Sequence, residues 1–472
     1  MTGPTGAAAL SASAAAGWAP APSRRVFTNR NLRMTAIAAM GFDMDHTLAV
    51  YDTDNFNRLC FELAVERLVR DKGYPEAVRG VRWDAAAAIR GLIVDKRLGN
   101  LLKVDAHGHI TRVRHGFRFL EKEERRSLYP RGRIRIGSGR YRIFDTLFDL
   151  PEGSLYAAVI DLAERGAVRL DRSRRALFDD IRQTVDTLHA DGSLKHRITA
   201  DLDRYFLRDP DLVPTLRRAR EAGTKLFLLT NSEADYTAAV MDHLVGGPAG
   251  SWEDLFDLVV CFARKPGFFL ARGPGEPVPA GQLARMPNHR GICYVGGDAF
   301  FLERNLGCRG DGILYWGDHT YGDILRSKKS VGWRTAMIVP EVEEEIEALT
   351  PLAGQRRELA AVEELLEELV LEQDHLAAAG GDAAAREALE RRLGEALGQR
   401  ARLQRQVRAV LNPHWESLFR EGRAASRFGR QIMEFSCIYT SRVSNLLRYP
   451  VDKFFARPVE VLPHERWGLP ER

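Results

Sequence analysis

The chain predicts an α/β fold, a Rossmann-like parallel sheet with helices on both faces. Three observations lead there. Short apolar runs end in acids or hydroxyls, amphipathic helical stretches separate them, and their polar residues sit at one end only. The runs are "MTAIAAMGFDMDHT", "TKLFLLTNS" (Thr224 to Ser232), "LFDLVVCFARKP" (Leu255 to Pro266) and "DGILYWGDHTYGD" (Asp311 to Asp323). Strands that alternate with helices form parallel sheets covered on both faces. Ligands in such sheets bind outside the carboxyl ends of the strands.

The elements follow in order. Residues 1–24 are Ala-rich without a basic start or a Leu-rich centre, which predicts a disordered tail rather than a signal peptide. Residues 25–60 and 195–345 hold the four runs and form the expected catalytic core. "DLVPTLRRAREAG" (Asp211 to Gly223) reads as one of its helices, with an Asp N-cap and a Gly stop. Residues 61–194 interrupt the core with amphipathic helices and a basic patch, and read as an inserted cap domain. In residues 352–412 Leu and Ala recur at helical spacing among Glu and Arg, and "AAAGGDAAA" breaks the pattern midway, so a helical hairpin is expected. The aromatic-rich residues 413–472 are expected to pack on the core.

Composition excludes several classes. A net charge of +5 over 472 residues, with no aromatic-interleaved basic stripe, gives no case for nucleic acid. No stretch is apolar over a length that spans a bilayer. Five scattered cysteines without a C-x-x-C pair point to reduced thiols in a cytoplasmic protein, not to a disulfide frame or a zinc site.

The acids carry the chemistry. Asp43 and Asp45, two apart on an extended chain, share a side, and close carboxylates repel unless one is protonated or a cation is bound. Asp52 follows in the same stretch and is expected in the same cleft. Asp318 and Asp323 come from another strand end. Oxygen ligands from two strands suit Mg²⁺. Thr230 and Asn231 can donate to phosphate oxygens, and Lys265 can neutralise charge there. A nucleophile, an acid/base, a cation and donors together suit phosphoryl transfer through an aspartyl-phosphate.

The order D-x-D-x-T, then Thr in "LLTNS", then Lys, then "GDxxxxD" resembles the haloacid dehalogenase superfamily. "GFDMDHTLAVYD", "DTLFDLPE", "LHADGSLK", "ARKPGFF", "GDHTYGDILRSKKSVGWRT" and "FGRQIMEF" resemble its cytosolic purine 5′-nucleotidase family in that family's order. The resemblance covers Arg25 to about His464. It implies a fold of the haloacid dehalogenase type, a cytoplasmic homo-oligomer, and a nucleoside monophosphate as substrate. Asp43 would be the nucleophile and Asp45 the acid/base. Mg²⁺ would be held by the Asp43 carboxylate, the Asp45 backbone carbonyl and Asp318, with Asp323 close by. Thr230, Asn231 and Lys265 would hold the phosphoryl group. Phe148, Arg182, Asp186, His189, Lys195 and Ser232 match the substrate positions. Phe148 can stack a purine, and Arg182 and Asp186 share a helix face. At the family's adenine-nucleotide effector site Arg135, Lys329 and Gln431 match. Asp145, Glu434 and Phe435 depart, and the carboxylate of Glu434 would repel a polyphosphate. The alternatives are a phosphatase of another ester and a non-catalytic interaction protein on the same fold.

Overall fold

The computed structural model describes residues 20–134, 137, 139–246, 250–270, 283–285, 289, 291–380 and 382–460. Residues 1–19 of the expected tail lie outside them, as does Arg135 of the effector set. Residues 20–24 differ from the expected tail. Ser23 is buried and donates to Glu347 over 3.0 Å, and Arg24 pairs with Glu343 at 3.1 Å, so they dock on helix Glu341–Leu349.

The central sheet has nine strands. Its parallel part runs, in spatial order, Ile438–Thr440, Arg334–Ile338, Ile313–Gly317, Ala39–Phe42, Lys225–Leu229, Leu258–Cys261 and Cys293–Gly296. Phe27–Thr28 and Leu283–Arg285 add antiparallel edges. Ala39–Phe42 lies in the middle and is buried along its whole length. A parallel strand covered on both faces reads as a continuous apolar run, which is why "AMGF" lacks alternation. Gly41 is needed there, because a Cβ at that position would come within 2.0 Å of the Phe227 ring.

The four runs seen in the sequence occupy neighbouring places in this sheet. Arg334–Ile338, Cys293–Gly296 and Ile438–Thr440 join them; the acid after Cys293–Gly296, Asp298, caps helix Ala299–Leu306. Ile438–Thr440 belongs to the C-terminal segment, which therefore supplies a strand to the sheet rather than only packing against it.

The expected core–cap boundary at residues 60 and 61 falls inside one helix, Thr53–Lys72. Asp52 is its N-cap, accepting from the Asn55 N–H over 3.0 Å, and Gly73 stops it at φ +70°. Asp52 thus serves the helix and not the cleft. Helix Thr53–Lys72 packs against Leu150–Glu164 and Arg174–Ala190 through Phe61, Leu68, Leu155 and Ile181. A five-stranded antiparallel sheet lies in the same stretch of chain, in the order Arg118–Phe119, Ile110–His115, Asn100–Val104, Ile93–Asp95, Tyr141–Ile143.

Helix Leu212–Glu221 forms as expected, but Asp211 makes no capping bond; its carboxylate pairs with Arg448 at 3.3 Å. Helices Ala353–Ala378 and Ala383–Arg408 form the hairpin, each about 39 Å long at 1.5 Å per residue. Val362, Leu366, Leu369, Leu389 and Leu403 fill the seam between them. Among the described residues no helix is long and apolar enough to cross a membrane.

Candidate active site

Four adjacent strands deliver the site. Asp43 follows Ala39–Phe42, Thr230 follows Lys225–Leu229, Asp318 follows Ile313–Gly317, and Lys265 lies four residues beyond Leu258–Cys261. The main chain is fixed by the sheet up to the reacting groups: Asp43 N–H donates to Trp316 O (2.9 Å) and Thr230 N–H to Val260 O (2.9 Å). Two turns beside the site hold non-glycine residues at positive φ, His46 (+53°) after Asp45, and Phe262 (+48°) and Arg264 (+59°) before Lys265. Each costs roughly 1 kcal/mol or more, a strain that the surrounding packing sustains.

Asp43, Asp318 and Asp323 are buried and offer carboxylate oxygens all within 4.8 Å of one another. Asp323 stands on a π-helical turn, Thr320–Leu325, that follows the strand. Gly317 makes room for it, since a Cβ there would lie 2.5 Å from the Asp323 side chain. Lys265 binds Asp43 Oδ1 (2.9 Å), Asp323 Oδ1 (2.7 Å) and the Tyr315 hydroxyl (2.9 Å). Met44 N–H also donates to Asp43 Oδ1, over 2.8 Å.

Burial pushes the Asp43 carboxyl well above the ordinary range. Lys265 opposes the shift, and Asp323, Asp45 and Asp318 add to it. Burial, then Asp323, pushes Asp318 up to about 7, with Arg90 and Lys265 opposing. Lys265 is raised: burial works against its charge, and Asp323 and Asp43 outweigh it. One lysine cannot neutralise this many buried carboxylates, and the donor set is oxygen alone. Both features fit a hard divalent cation such as Mg²⁺.

Asp45 points elsewhere. Its Oδ1 accepts from Tyr51 (2.6 Å) and its Oδ2 from Ser232 (2.7 Å), so its carboxylate is held away from a ligand role. Burial raises its pKa, and the two hydroxyl bonds partly offset this. Tyr51 shares a 3.0 Å hydrogen bond with Tyr236. Asn231 faces the backbone of Lys265 instead of the cleft: its Oδ1 accepts from Lys265 N (2.7 Å) and its Nδ2 donates to Lys265 O (3.1 Å). Thr230 Oγ1 accepts from Ser232 N–H over 3.1 Å and keeps its own proton to donate.

The substrate candidates divide into two groups. Phe148 is half-buried and edge-on to His46 (4.6 Å) and His189 (5.4 Å); His46 in turn lies 4.4 Å from the Tyr51 ring. Lys195 pairs with Glu233 and sits 5.4 Å from the Tyr236 ring. These surround the Asp45 end of the cleft, beside Ser232. Arg182 is committed to three carboxylates, Asp149 (2.9 Å), Glu152 (3.0 Å) and Asp186 (3.3 Å). Asp149 caps the turn at Thr146, and the Thr146 hydroxyl reaches Asp318 Oδ2 at 3.5 Å, tying this turn to the end of strand Ile313–Gly317.

At the effector positions Lys329 lies 5.6 Å from the Phe435 ring, Glu434 is exposed 4.0 Å from Arg430, and Gln431 Oε1 is buried without a hydrogen-bond partner. Burial raises the Asp145 carboxyl, with His319 opposing.

Sequence reasoning missed Tyr51, Tyr236, Tyr315 and Arg90. The Arg90 guanidinium is buried, donates to Asp318 O (3.0 Å) and pairs with Glu341 (2.5 Å). Tyr51 and Tyr315 sit within apolar runs and read there as core, and Tyr236 stands on helix Ala234–Val245 between Asp235 and Thr237, where no neighbour marks it.

The model of the 5′ nucleotidase family matches residues 26–467. The chain is 30% identical over 466 residues to 5′-nucleotidase domain-containing protein 2 of Homo sapiens, covering 93% of this chain and 85% of that protein. It is 29% identical over 459 residues to a 5′-nucleotidase domain-containing protein of Dictyostelium discoideum, covering 93% of this chain and 74% of that protein. A solved structure of a predicted phosphoglycolate phosphatase from Haemophilus somnus aligns at 13% identity and a TM-score of 0.29, over 65% of this chain and 87% of that one.

Proposed function

We propose that this chain, which belongs to the 5′ nucleotidase family, hydrolyses nucleoside 5′-monophosphates through a phosphate carried covalently on Asp43. Family membership makes it a phosphoric monoester hydrolase. The observation that supports the mechanism is the meeting of Asp43, Asp318, Asp323 and Lys265 at the carboxyl ends of adjacent strands, with Asp45 held apart by Tyr51 and Ser232.

In the first step an Asp43 carboxylate oxygen attacks phosphorus, the bond from phosphorus to the ribose 5′ oxygen breaks, and Asp45 gives its proton to that oxygen. The raised pKa of Asp45 favours its carrying this proton. In the second step water attacks the same phosphorus and gives a proton to Asp45. The bond from phosphorus to Asp43 then breaks, which releases phosphate and restores both acids. A nucleoside hydroxyl in place of water would give phosphotransfer. Lys265 and the Thr230 hydroxyl hold the phosphoryl oxygens, and Asn231 fixes the loop that carries Lys265. Asp43, the Asp45 carbonyl and Asp318, with Asp323 beside them, would hold Mg²⁺, which supplies charge neutralisation to the phosphate when bound.

We read the substrate as a purine nucleotide, IMP or GMP ahead of AMP, bound between Phe148, His189 and Lys195, with the Arg182–Asp186 pair reading the base. A 6-oxo purine offers an acceptor at O6 and a donor at N1, which suits a cation beside a carboxylate. The 6-amino group of AMP reverses that polarity, at a cost of about 1–3 kcal/mol. We also read the protein as a cytoplasmic homo-oligomer. The deciding experiment measures phosphate release from IMP, GMP, AMP, CMP and simple sugar phosphates with Mg²⁺ and with chelator. Release from purine nucleotides that stops on chelation is expected. Equal rates on all esters would remove the nucleotide assignment, and full activity in chelator would remove the metal.

A further inference from the structure

We propose a second metal site, of the zinc type, built from Glu253, His289 and Cys293 on the far side of the sheet's Leu258–Cys261 strand from Ala39–Phe42. One donor atom from each of these residues lies within 4.8 Å of the others. The donor set differs from that of the Asp43 cleft: a carboxylate oxygen, an imidazole nitrogen and a thiol sulfur. Thiolate and imidazole select zinc over magnesium, with bonds of about 2.3 Å to sulfur and about 2.0–2.1 Å to nitrogen.

The fold builds the site from three separate stretches. Glu253 is on the 3-10 turn Trp252–Leu255, which Ser251 and Asp254 fix by reciprocal capping. Cys293 opens the strand Cys293–Gly296 and lies opposite Val259 in the parallel ladder. His289 comes from the approach to that strand, with its ring 6.5 Å from that of Trp252. Its Nδ1 lies 2.6 Å from Glu253 Oε1. Cys293 is fully buried and Glu253 nearly so.

Charge balance suits that burial. Thiolate and carboxylate together carry the charge that Zn²⁺ cancels, and the imidazole stays neutral. On binding, the Cys293 thiol loses its proton to solvent and ligates as thiolate, while the imidazole of His289 and the carboxylate of Glu253 turn to the ion. The ion would tie the strand that leads to Lys265 to its outer neighbour. The absence of a C-x-x-C pair hid this set, because Glu253 lies far from His289 and Cys293 in sequence and only the sheet brings them together.

The test loads reduced, chelator-stripped full-length protein with Zn²⁺ or Co²⁺ and reads bound metal by mass spectrometry and the thiolate-to-cobalt absorption band. We expect one tightly held Zn²⁺ beyond any Mg²⁺-type binding, a cobalt band in wild type, its loss in Cys293→Ser, and at least ~10-fold weaker binding in His289→Gln. The band should persist in Cys308→Ser and in Asp43→Asn, which separates this site from the catalytic cleft and from the nucleotidase reading. Zn²⁺ should raise the Tm of wild type and not of His289→Gln. A wild type without a cobalt band at stoichiometric metal, or a band that survives Cys293→Ser, overturns the proposal. Circular dichroism of each variant identifies loss of fold, and the wild-type spectrum decides the matter if Cys293→Ser does not fold.

Discussion

The side-chain amide of Asn231 closes two hydrogen bonds on the main chain of Lys265, one through its oxygen (2.7 Å) and one through its nitrogen (3.1 Å). The ammonium that bridges Asp43 and Asp323 is therefore placed from a neighbouring strand end. Asn231→Ala removes both bonds, each worth about 0.5–1.5 kcal/mol. The expected result is a fall in kcat with KM little changed, because Lys265 retains its charge and loses its position. A variant with wild-type kcat would show that the Lys265 loop holds itself.

Tyr51→Phe takes away the 2.6 Å bond to Asp45. That bond favours the ionised carboxylate, so without it the Asp45 pKa rises further. The limb of the kcat–pH profile that belongs to Asp45 should move to higher pH. An unmoved profile would place the acid/base role on another group.

Asp43→Asn should abolish turnover and leave stability nearly unchanged. It removes a crowded carboxylate, while Lys265 keeps Asp323 at 2.7 Å. Phosphate release and urea unfolding check the two halves. Substantial turnover would end the covalent route.

Glu152 gives a pH prediction away from the metal ligands. It is 1% exposed, and burial followed by Asp149 pushes it up to about 8 against the pull of Arg182. In the unfolded chain it titrates near 4.5, so between these values the folded state holds a proton that the unfolded state has lost. Its contribution is complete below pH 4.5 and is lost as pH rises through 8, with a slope of up to about 1.4 kcal/mol per pH unit. Urea unfolding at pH 5.5, 6.5 and 7.5 should show this decline in wild type relative to Glu152→Gln. Parallel lines would mean that Glu152 is ionised throughout.

Asp186→Ala frees one side of Arg182. If the pair reads the base, the ratio of kcat/KM for IMP over AMP should fall by roughly 5- to 150-fold, the equivalent of about 1–3 kcal/mol. A changed stability with an unchanged ratio would assign the pair to bracing the cap helices.

The parts of this molecule that the sequence disclosed share one property: their chemistry is local. Asp43 and Asp45 lie two apart, Asp318 and Asp323 five apart, and each set closes an apolar run. Asp52 misled because it stands in the same stretch, yet it faces a helix start that only the backbone direction reveals. Tyr51 and Tyr315 were illegible since a phenol within an apolar run carries the same signal as a core ring, and Tyr236, on a helix between Asp235 and Thr237, meets Tyr51 only through the fold. Arg182 was visible as a helix-face cation, but its partners Asp149 and Glu152 come from another helix end. Strand Ile438–Thr440 is too short to display a period, and its pairing with Arg334–Ile338 spans about a hundred residues.

That last strand has a consequence for how the protein is made. Phe27 pairs with Tyr439 and Ala336 with Ile438, so the sheet edge is finished by residues far apart in sequence. When Asp323 has left the ribosome every proposed catalytic group is present, yet Arg334–Ile338 still waits with an open flank for Ile438–Thr440. A nascent or prematurely stopped chain that ends before residue 438 exposes that flank as a template for strand addition from another molecule. Completion of the edge is long-range and late, which makes a chaperone-dependent interval in synthesis the expected cost of this topology.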